Sequence, residues 1–243
     1  ILFSSIIVLF FMVIYKKINF KQFLITITPI IIGAVIGNYI KTNIQYNLWL
    51  NSSGISINDY SGQFTKISQI LTMSGLLDVV KIFIGQLFYL GAASFLIFYH
   101  GVYEIIEEFI SLCKHKSLNV LSDSYNNFYS YLFLLIASLF TIFISVVFFI
   151  NPSRIDNIVY GRYNEIILGP IMLIGFVNIF GNDKLKNEKN LFIMLFFSIL
   201  TILIDLIIKD SGLNVAYSNT ISTIALLFLN IPYVVYIYAF VGL

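Results

Sequence analysis

Both arginines of this 243-residue chain lie in one short stretch, NPSRIDNIVYGRYNE at residues 151–165. All the other basic residues are lysines, so Arg154 and Arg162 mark the one place where the chain uses a guanidinium group. A guanidinium group is a planar fork that can bind two oxygens of a phosphate or carboxylate at once, whereas an ammonium group acts as a point charge. Residues 151–165, which we call the arginine segment, are therefore a candidate anion-binding site.

The residues around the arginines fit this interpretation. Asn151 followed by proline is typical of a helix start, and a helix over 153–162 would place both arginines roughly on one face. Two tyrosines flank the second arginine, and their rings could hold its guanidinium plane by cation–π contact. The side chains that we predict to bind the anion are Arg154, Arg162, Tyr160 and Tyr163.

A simpler interpretation treats the arginines as structural charges. Arg154 would then pair with Asp156, and Arg162 with Glu165. Surface ion pairs of this kind contribute only about 0–1 kcal/mol, and lysine would serve nearly as well as arginine. The use of arginine at both positions therefore favours anion binding.

The elements that must position these residues are membrane-spanning helices. The chain is 59% hydrophobic and only 11% charged, whereas a soluble domain carries about 25% charged residues. The apolar runs are continuous rather than alternating, which favours helices over a β-barrel. We predict an all-α polytopic transmembrane helix bundle that forms one domain over 1–243. Its seven spans lie at about 1–15, 24–40, 82–100, 128–150, 166–180, 191–208 and 221–240.

The lysines predict the orientation of this bundle, because they cluster in alternate connections. Eight of the fourteen basic residues lie in the connections 16–21, 114–116 and 184–189. By the positive-inside rule these connections face the cytoplasm. The connections that then face outward are 41–81, 151–165 and 209–220. Both arginines therefore lie on the side where positive charge is disfavoured, which indicates a local role.

The first outward connection contains another predicted element. Its apolar residues recur at helical spacing, and polar residues occupy the opposite face. This pattern predicts either an interfacial helix on the outer leaflet or a plain connecting helix packed on the bundle. The apolar residues are Phe64, Ile67, Ile70, Leu71 and Leu77, and the polar residues are Lys66, Gln69 and Thr72.

Three further polar residues are secondary candidates for the site. Gln86 and Tyr89 lie near the outer end of the third span, where small residues indicate close helix packing. Asp205 lies in the sixth span, where a carboxylate is a functional candidate by default. Lys209, four residues later, offers Asp205 a simple ion pair. Because Cys113 is the only cysteine and only two histidines occur, an internal disulfide and a histidine metal cluster are excluded within this sequence.

Two stretches resemble the C-terminal half of the GT-C superfamily of bacterial membrane glycosyltransferases. They are GQLFYLGAASF, within 84–95, and RIDNIVYGRYNEIILGPIMLIG, at 154–175. The resemblance implies many transmembrane helices with an outward active site and a polyprenyl-phosphate-linked sugar as donor. It implies that Arg154 and Arg162 hold the lipid phosphate. It also implies an acidic catalytic residue in an earlier outward loop, upstream of Ile1, so the catalytic residue of this chain is unknown.

We therefore expect a glycosyltransferase-like protein of the bacterial cytoplasmic membrane that serves cell-surface glycan assembly. Its partners would be membrane lipids and the lipid-linked sugar donor, and no nucleic acid, because no basic face is visible. The alternatives are a transporter or flippase of a lipid-linked glycan, or a polysaccharide polymerase. No cofactor is identified, and a divalent metal ion stays open. Because Ile1 lies inside an apolar run without a preceding methionine or basic flank, we also expect a fragment of a longer chain.

Overall fold

The regular structure of the chain is entirely helical where it is described. The computed structural model describes residues 2–14, 17–49, 66–114, 122–152, 157–159, 161–181 and 187–210. No strand occurs in these ranges. The predicted all-α class is confirmed, and the predicted last span, 221–240, lies outside the described residues.

The described elements are eight α-helices and one 3-10 helix. The α-helices are α1 Leu2–Ile14, α2 Phe20–Trp49, α3 Lys66–Gln69, α4 Met73–Ala93, α5 Ile97–Lys114, α6 Ser122–Phe148, α7 Glu165–Gly181 and α8 Asn187–Asp210. The 3-10 helix is Arg162–Asn164 and directly precedes α7.

Four of the described helices are long and apolar enough to cross a membrane. The candidate spans are Phe20–Ile44, Met73–Ala93, Phe128–Phe148 and Glu188–Asp210. Two shorter apolar helices, Phe3–Ile14 and Glu165–Phe180, accompany them. The protein is therefore a helical membrane protein.

The chain forms two compact units, residues 1–64 and residues 65–243. In the first unit α1 packs against α2. Helix α2 begins at a capping box, because Asn19 N donates to Gln22 Oε1 at 2.9 Å and Gln22 N donates to Asn19 Oδ1 at 2.8 Å. The predicted single domain over the whole chain stays a prediction.

In the second unit, helices α4 to α8 share one apolar core. The rings of Phe88 and Phe197 stack with their centroids 5.3 Å apart, which joins α4 to α8. Helices α5 and α7 approach closely at two glycines. A side chain at Gly101 would collide with the backbone of Ile171, and one at Gly175 with the backbone of Ile97. Small residues thus allow the close helix contact that membrane bundles favour.

The third predicted span, 82–100, does not coincide with one helix. Helix α4 begins nine residues before it, at Met73, and ends at Ala93, and a turn at 94–96 leads into α5. The turn is apolar and Leu96 is buried. Hydropathy therefore continues through the turn and cannot reveal where α4 ends.

The turn itself is a Schellman-type helix end. Leu96 N donates to Gly91 O at 2.9 Å, and Phe95 N donates to Ala92 O at 3.4 Å. Phe95 and Leu96 both have positive φ angles, 49° and 65°. Glycine is the usual residue at such a position, so the sequence gives no sign of the turn.

The predicted helix within 41–81 is also interrupted. Among the described residues between Lys66 and Leu77, α3 ends at Gln69 and α4 begins at Met73, and Phe64 lies outside the described residues. Thr72 does not lie on the polar face of a continuous helix. It caps α4 instead, since its Oγ1 accepts from Gly75 N at 3.1 Å.

Side-chain contacts join two of the predicted outward connections, 41–81 and 151–165, at one end of α6. Lys66 Nζ donates to Phe148 O at 2.9 Å. Asn151 N donates to Asp78 Oδ2 at 3.3 Å. The connections before α4 and after α6 therefore meet.

At the other end of α6, the last turns of α5 contact the first turns of α6 and α8. The rings of Phe109 and Phe128 stack 5.2 Å apart near the beginning of this helix. Lys189, at the start of α8, pairs with Glu107 of α5. Lys189 therefore lies at the opposite end of α6 from Lys66 and Asn151. The assignment of the connections to two sides of the membrane stays a prediction.

Candidate functional site

The described part of the arginine segment packs along α4. One end is held near the second turn of α4, where Asn151 contacts Asp78. The other end is held near its last turns, where Tyr89 Oη donates to Glu165 Oε1 at 3.0 Å. The contacted residues of α4 are about 16 Å apart at a rise of 1.5 Å per residue. Because α4 is a candidate span, these contacts place the described residues of the segment alongside a helix that can cross the membrane.

Backbone outside regular helices is costly at this depth unless the protein itself covers it. Ile158 and Val159 are 0% and 5% exposed, so the middle of the arginine segment is covered. Gly85 of α4 allows this, because a side chain there would collide with the backbone of Ile158. Gly161 likewise leaves room for the ring of Tyr89. The small residues of α4 were expected to pack against another helix. Gly85 instead packs against Ile158 of the arginine segment.

A buried amide pair fixes the end of the segment. Asn164 Nδ2 donates to Gln86 Oε1 at 2.5 Å, and both side chains are 0% exposed. Asn164 Oδ1 has no hydrogen-bond partner among the described residues. An unsatisfied buried acceptor costs about 1–3 kcal/mol. This acceptor lies directly before the start of α7.

A phenol–carboxylate contact lies beside the amide pair. Glu165 is the first residue of α7, where a carboxylate is favoured by the helix dipole. Tyr89 is buried and donates its hydroxyl hydrogen to this carboxylate. Both secondary candidates on α4, Gln86 and Tyr89, therefore bond to the arginine segment. Their spacing in the sequence could not predict these contacts.

Asn164 was not named as a site residue from the sequence, and Glu165 was named only as a partner of Arg162. A signal for both existed on α4. Gln86 and Tyr89 are polar groups within an apolar run, and buried polar groups need hydrogen-bond partners. The partners could not be identified, because they lie 78 and 76 residues away in the chain.

The predicted anion-binding side chains are described only in part. Arg154 and Tyr160 lie outside the described residues, and so does the side chain of Arg162. The ring of Tyr163 packs on the end of α6, with its centroid 5.1 Å from that of Phe148 and 5.9 Å from that of Phe149. The cation–π contacts to the arginine stay a prediction.

The helix considered for 153–162 does not form as an α-helix in its described residues, and Arg162 begins a 3-10 helix instead. Residues 157–159 and 161 are not α-helical. Asn151 cannot be the predicted cap, because its φ is 59° and a cap residue has an extended backbone. Its side chain bonds elsewhere, since Nδ2 donates to Gln69 Oε1 at 2.9 Å. Asn151 therefore contacts α3 and α4 and does not begin a helix of its own.

Asp205 forms the simple ion pair with Lys209 rather than a separate functional site. Its Oδ2 accepts from Lys209 Nζ at 2.6 Å, one helical turn later on α8. A surface pair of this kind contributes at most about 1 kcal/mol.

A second polar cluster lies at the other end of the bundle. Asn178 of α7 donates to Glu104 of α5, and Lys189 pairs with Glu107. Burial raises the pKa of Glu104, opposed by nearby Lys189 and reinforced by Glu107 and Glu108. Among the described residues no group of three His, Cys, Asp or Glu side chains could hold a metal ion. The cluster joins α5, α7 and α8.

Comparisons with known protein families, with curated proteins and with solved structures find no match to this chain. The residues and their geometry therefore carry the functional assignment.

Proposed function

We propose that this membrane protein binds the phosphate of a polyprenyl-phosphate-linked sugar through its arginine segment. It would do so at the outer side of a bacterial cytoplasmic membrane, as a glycosyltransferase of cell-surface glycan assembly. One observation supports this most strongly. The polar segment that carries both arginines is held against a candidate span by the pairs Gln86–Asn164 and Tyr89–Glu165.

This anchoring favours a functional role for the arginines. Charged side chains within a membrane bundle are costly and usually serve a ligand or an ion. A site held on rigid elements loses less conformational entropy when it binds a ligand. A lipid with a phosphate head group reaches such a site from within the bilayer. Its phosphate matches the forked geometry of guanidinium groups.

The start of α7 supports the same ligand. A helix that begins inside a bundle directs free N–H groups and a positive dipole end towards anionic groups. Arg162 lies in the 3-10 helix that leads directly into α7. Glu165 offsets part of this positive charge, and Tyr89 holds its carboxylate. The arginines are therefore needed to make the site net attractive for phosphate.

The sugar-transfer part of the proposal rests on the resemblance to GT-C enzymes. Transport of a lipid-linked glycan is the second candidate, because irregular backbone inside a bundle next to a helix start is also typical of transporters. A reconstituted system separates the two functions. A transferase removes the sugar from its lipid, whereas a transporter moves the lipid-linked sugar across the bilayer intact.

The phosphate site is tested by measuring undecaprenyl phosphate binding to the full-length protein, with undecaprenol as the uncharged comparison lipid. A hydrogen bond to a charged group contributes about 1.5–3 kcal/mol, so Arg162→Lys and Arg154→Lys should each weaken phosphate binding about ten- to a hundred-fold. The control is Lys209→Gln, which removes a whole charge outside the site. It should have a much smaller effect than either charge-conserving change.

Two results would remove the proposal. One is equal binding of undecaprenyl phosphate and undecaprenol by the wild-type protein. The other is wild-type affinity in both lysine variants while they remain folded, since the arginines would then be ordinary loop charges.

A further inference from the structure

A buried oxygen atom without a hydrogen-bond partner lies directly before α7. Asn164 is 0% exposed, and its Oδ1 has no partner among the described residues. The other end of this amide is already used, because Nδ2 donates to Gln86 Oε1 at 2.5 Å. Buried polar groups nearly always have a partner, and an exception is often explained by a bound water molecule or ion. Asn164 Oδ1 therefore indicates a ligand that offers a hydrogen-bond donor or a positive charge.

A carboxylate lies beside this oxygen. Glu165 follows Asn164 in the chain, and its Oε1 accepts from Tyr89 Oη at 3.0 Å. Gln86 and Tyr89, which bond to these two residues, lie on one face of α4 and about 4.5 Å apart along its axis. The amide oxygens of Gln86 and Asn164 and the carboxylate of Glu165 are therefore gathered within about one helical turn of α4.

The charge of Glu165 distinguishes an ion from a water molecule. None of the ion pairs between described residues includes Glu165. The start of α7 supplies only about half an elementary positive charge, which the carboxylate outweighs. A carboxylate within a membrane bundle is costly unless a positive group accompanies it. A water molecule would satisfy Asn164 Oδ1 but would leave this negative charge in place, whereas a cation answers both needs.

The three groups suit a small monovalent cation. All of them are hard oxygen donors, and none is the His or Cys side chain that a zinc site usually contains. The single carboxylate balances one positive charge. The surrounding packing is close, because side chains at Gly85 and Gly161 would collide with the backbone of Ile158 and the ring of Tyr89. The space therefore favours a small ion.

We propose that the oxygens of Gln86, Asn164 and Glu165 bind a sodium ion at the start of α7. The exposed carboxylate supplies the charge, and the two buried amide oxygens form the inner side of the site. Water fills the remaining coordination positions from the exposed side of Glu165. The ion stabilises the junction between the arginine segment and α7, because it is the missing partner of Asn164 Oδ1. This inference does not rest on the proposed function, since no arginine and no lipid takes part.

The test measures binding of radioactive Na⁺ to the full-length protein in detergent, without added lipid and with choline chloride holding the ionic strength constant. We expect saturable binding that unlabelled Na⁺ displaces more readily than K⁺ does. Glu165→Gln removes the charge and keeps an acceptor for Tyr89 Oη, so it should weaken Na⁺ binding at least about tenfold. The matched control is Glu188→Gln, because Glu188 is also an exposed carboxylate in the first turn of a long helix. The control should bind Na⁺ like the wild type.

Gln86→Glu tests the site in the opposite direction. It keeps an oxygen beside Asn164 Nδ2 and adds a second carboxylate, so we expect Na⁺ to bind about tenfold more tightly. Thermal unfolding gives a readout that needs no variant. The unfolding temperature of the wild type should rise with NaCl and not with choline chloride, because an ion that binds only the folded state stabilises it.

Three results would overturn the inference. The first is a wild-type protein that shows no saturable Na⁺ binding. The second is equal Na⁺ binding by the wild type and a folded Glu165→Gln variant. The third is a stabilisation that follows acidic pH or ionic strength and not Na⁺, since a proton or general screening would then account for it. Because no lipid is present, none of these results bears on the proposed phosphate site.

Discussion

At the scale of single residues, the buried pair Gln86–Asn164 holds the arginine segment on α4. Gln86→Leu leaves Asn164 Nδ2 without this acceptor, so we expect a loss of stability of about 1–3 kcal/mol. Asn164→Leu should cost a similar amount. The double change should cost less than the sum of the two, because replacing both partners by apolar groups removes the unsatisfied donor and acceptor together.

Thermal unfolding in one detergent measures this cycle, with undecaprenyl phosphate binding as a second readout. Strictly additive costs would show that the two amides do not support each other. Neutral single variants would contradict the role of the pair in anchoring the segment.

The same residues show how far sequence reasoning extends. Gln86 and Tyr89 could be singled out because a polar group in an apolar run needs a partner. Asn151 was misjudged because Asn fits both a helix cap and a left-handed backbone. Tertiary contacts with Asp78 and Gln69 select the second conformation.

At the scale of elements, the turn at 94–96 allows a matched comparison. Phe95 and Leu96 share a left-handed backbone, but Phe95 is 60% exposed and Leu96 only 5%. Left-handed backbone costs a residue with a side chain roughly 1–2 kcal/mol. Phe95→Gly should therefore stabilise the protein by about 1 kcal/mol. Leu96→Gly should destabilise it, because losing a buried leucine side chain costs about 2–5 kcal/mol.

Thermal unfolding of the two glycine variants checks this comparison. The opposite order, with Phe95→Gly the less stable variant, would mean that the exposed ring makes a larger contribution than the backbone strain costs.

The elements also show why span boundaries were partly misplaced. Helix α2 extends well beyond its predicted span of 24–40, because the capping box of Asn19 and Gln22 starts it early and helical hydrogen bonding continues past the apolar run. The contacts of the described residues within 151–165 with α4 could not be predicted, because they join distant parts of the chain. Hydropathy identifies helices that can cross a membrane. It does not show which segments pack between those helices.

At the scale of the whole molecule, the two ends of the bundle predict a topology experiment. In a Cys113→Ser background, Ser68→Cys lies at the end that holds the arginine segment, and Glu108→Cys lies at the other end. Both positions are exposed. An impermeant maleimide added to intact cells should label the first cysteine and not the second, because the positive-inside rule predicts that the lysine-rich connections face the cytoplasm. The reverse labelling pattern would place the arginine segment on the cytoplasmic side.

Composition was sufficient to predict the all-α membrane class, since continuous apolar runs leave few alternatives within a bilayer. The lysine pattern predicts which side of the membrane each connection faces, and that stays a prediction. It could not predict where the described part of the arginine segment lies along α4, because a charge pattern carries no information about position along a neighbouring helix.

The most direct measurement of the central claim is a structure of the full-length protein with undecaprenyl phosphate bound. The account predicts a phosphate oxygen within about 3 Å of a guanidinium nitrogen of Arg154 or Arg162. It also predicts that the head group lies at the start of α7, beside Asn164. A phosphate bound instead at the opposite end of the bundle, near Lys189, would contradict the assignment of the arginine segment as the lipid-phosphate site.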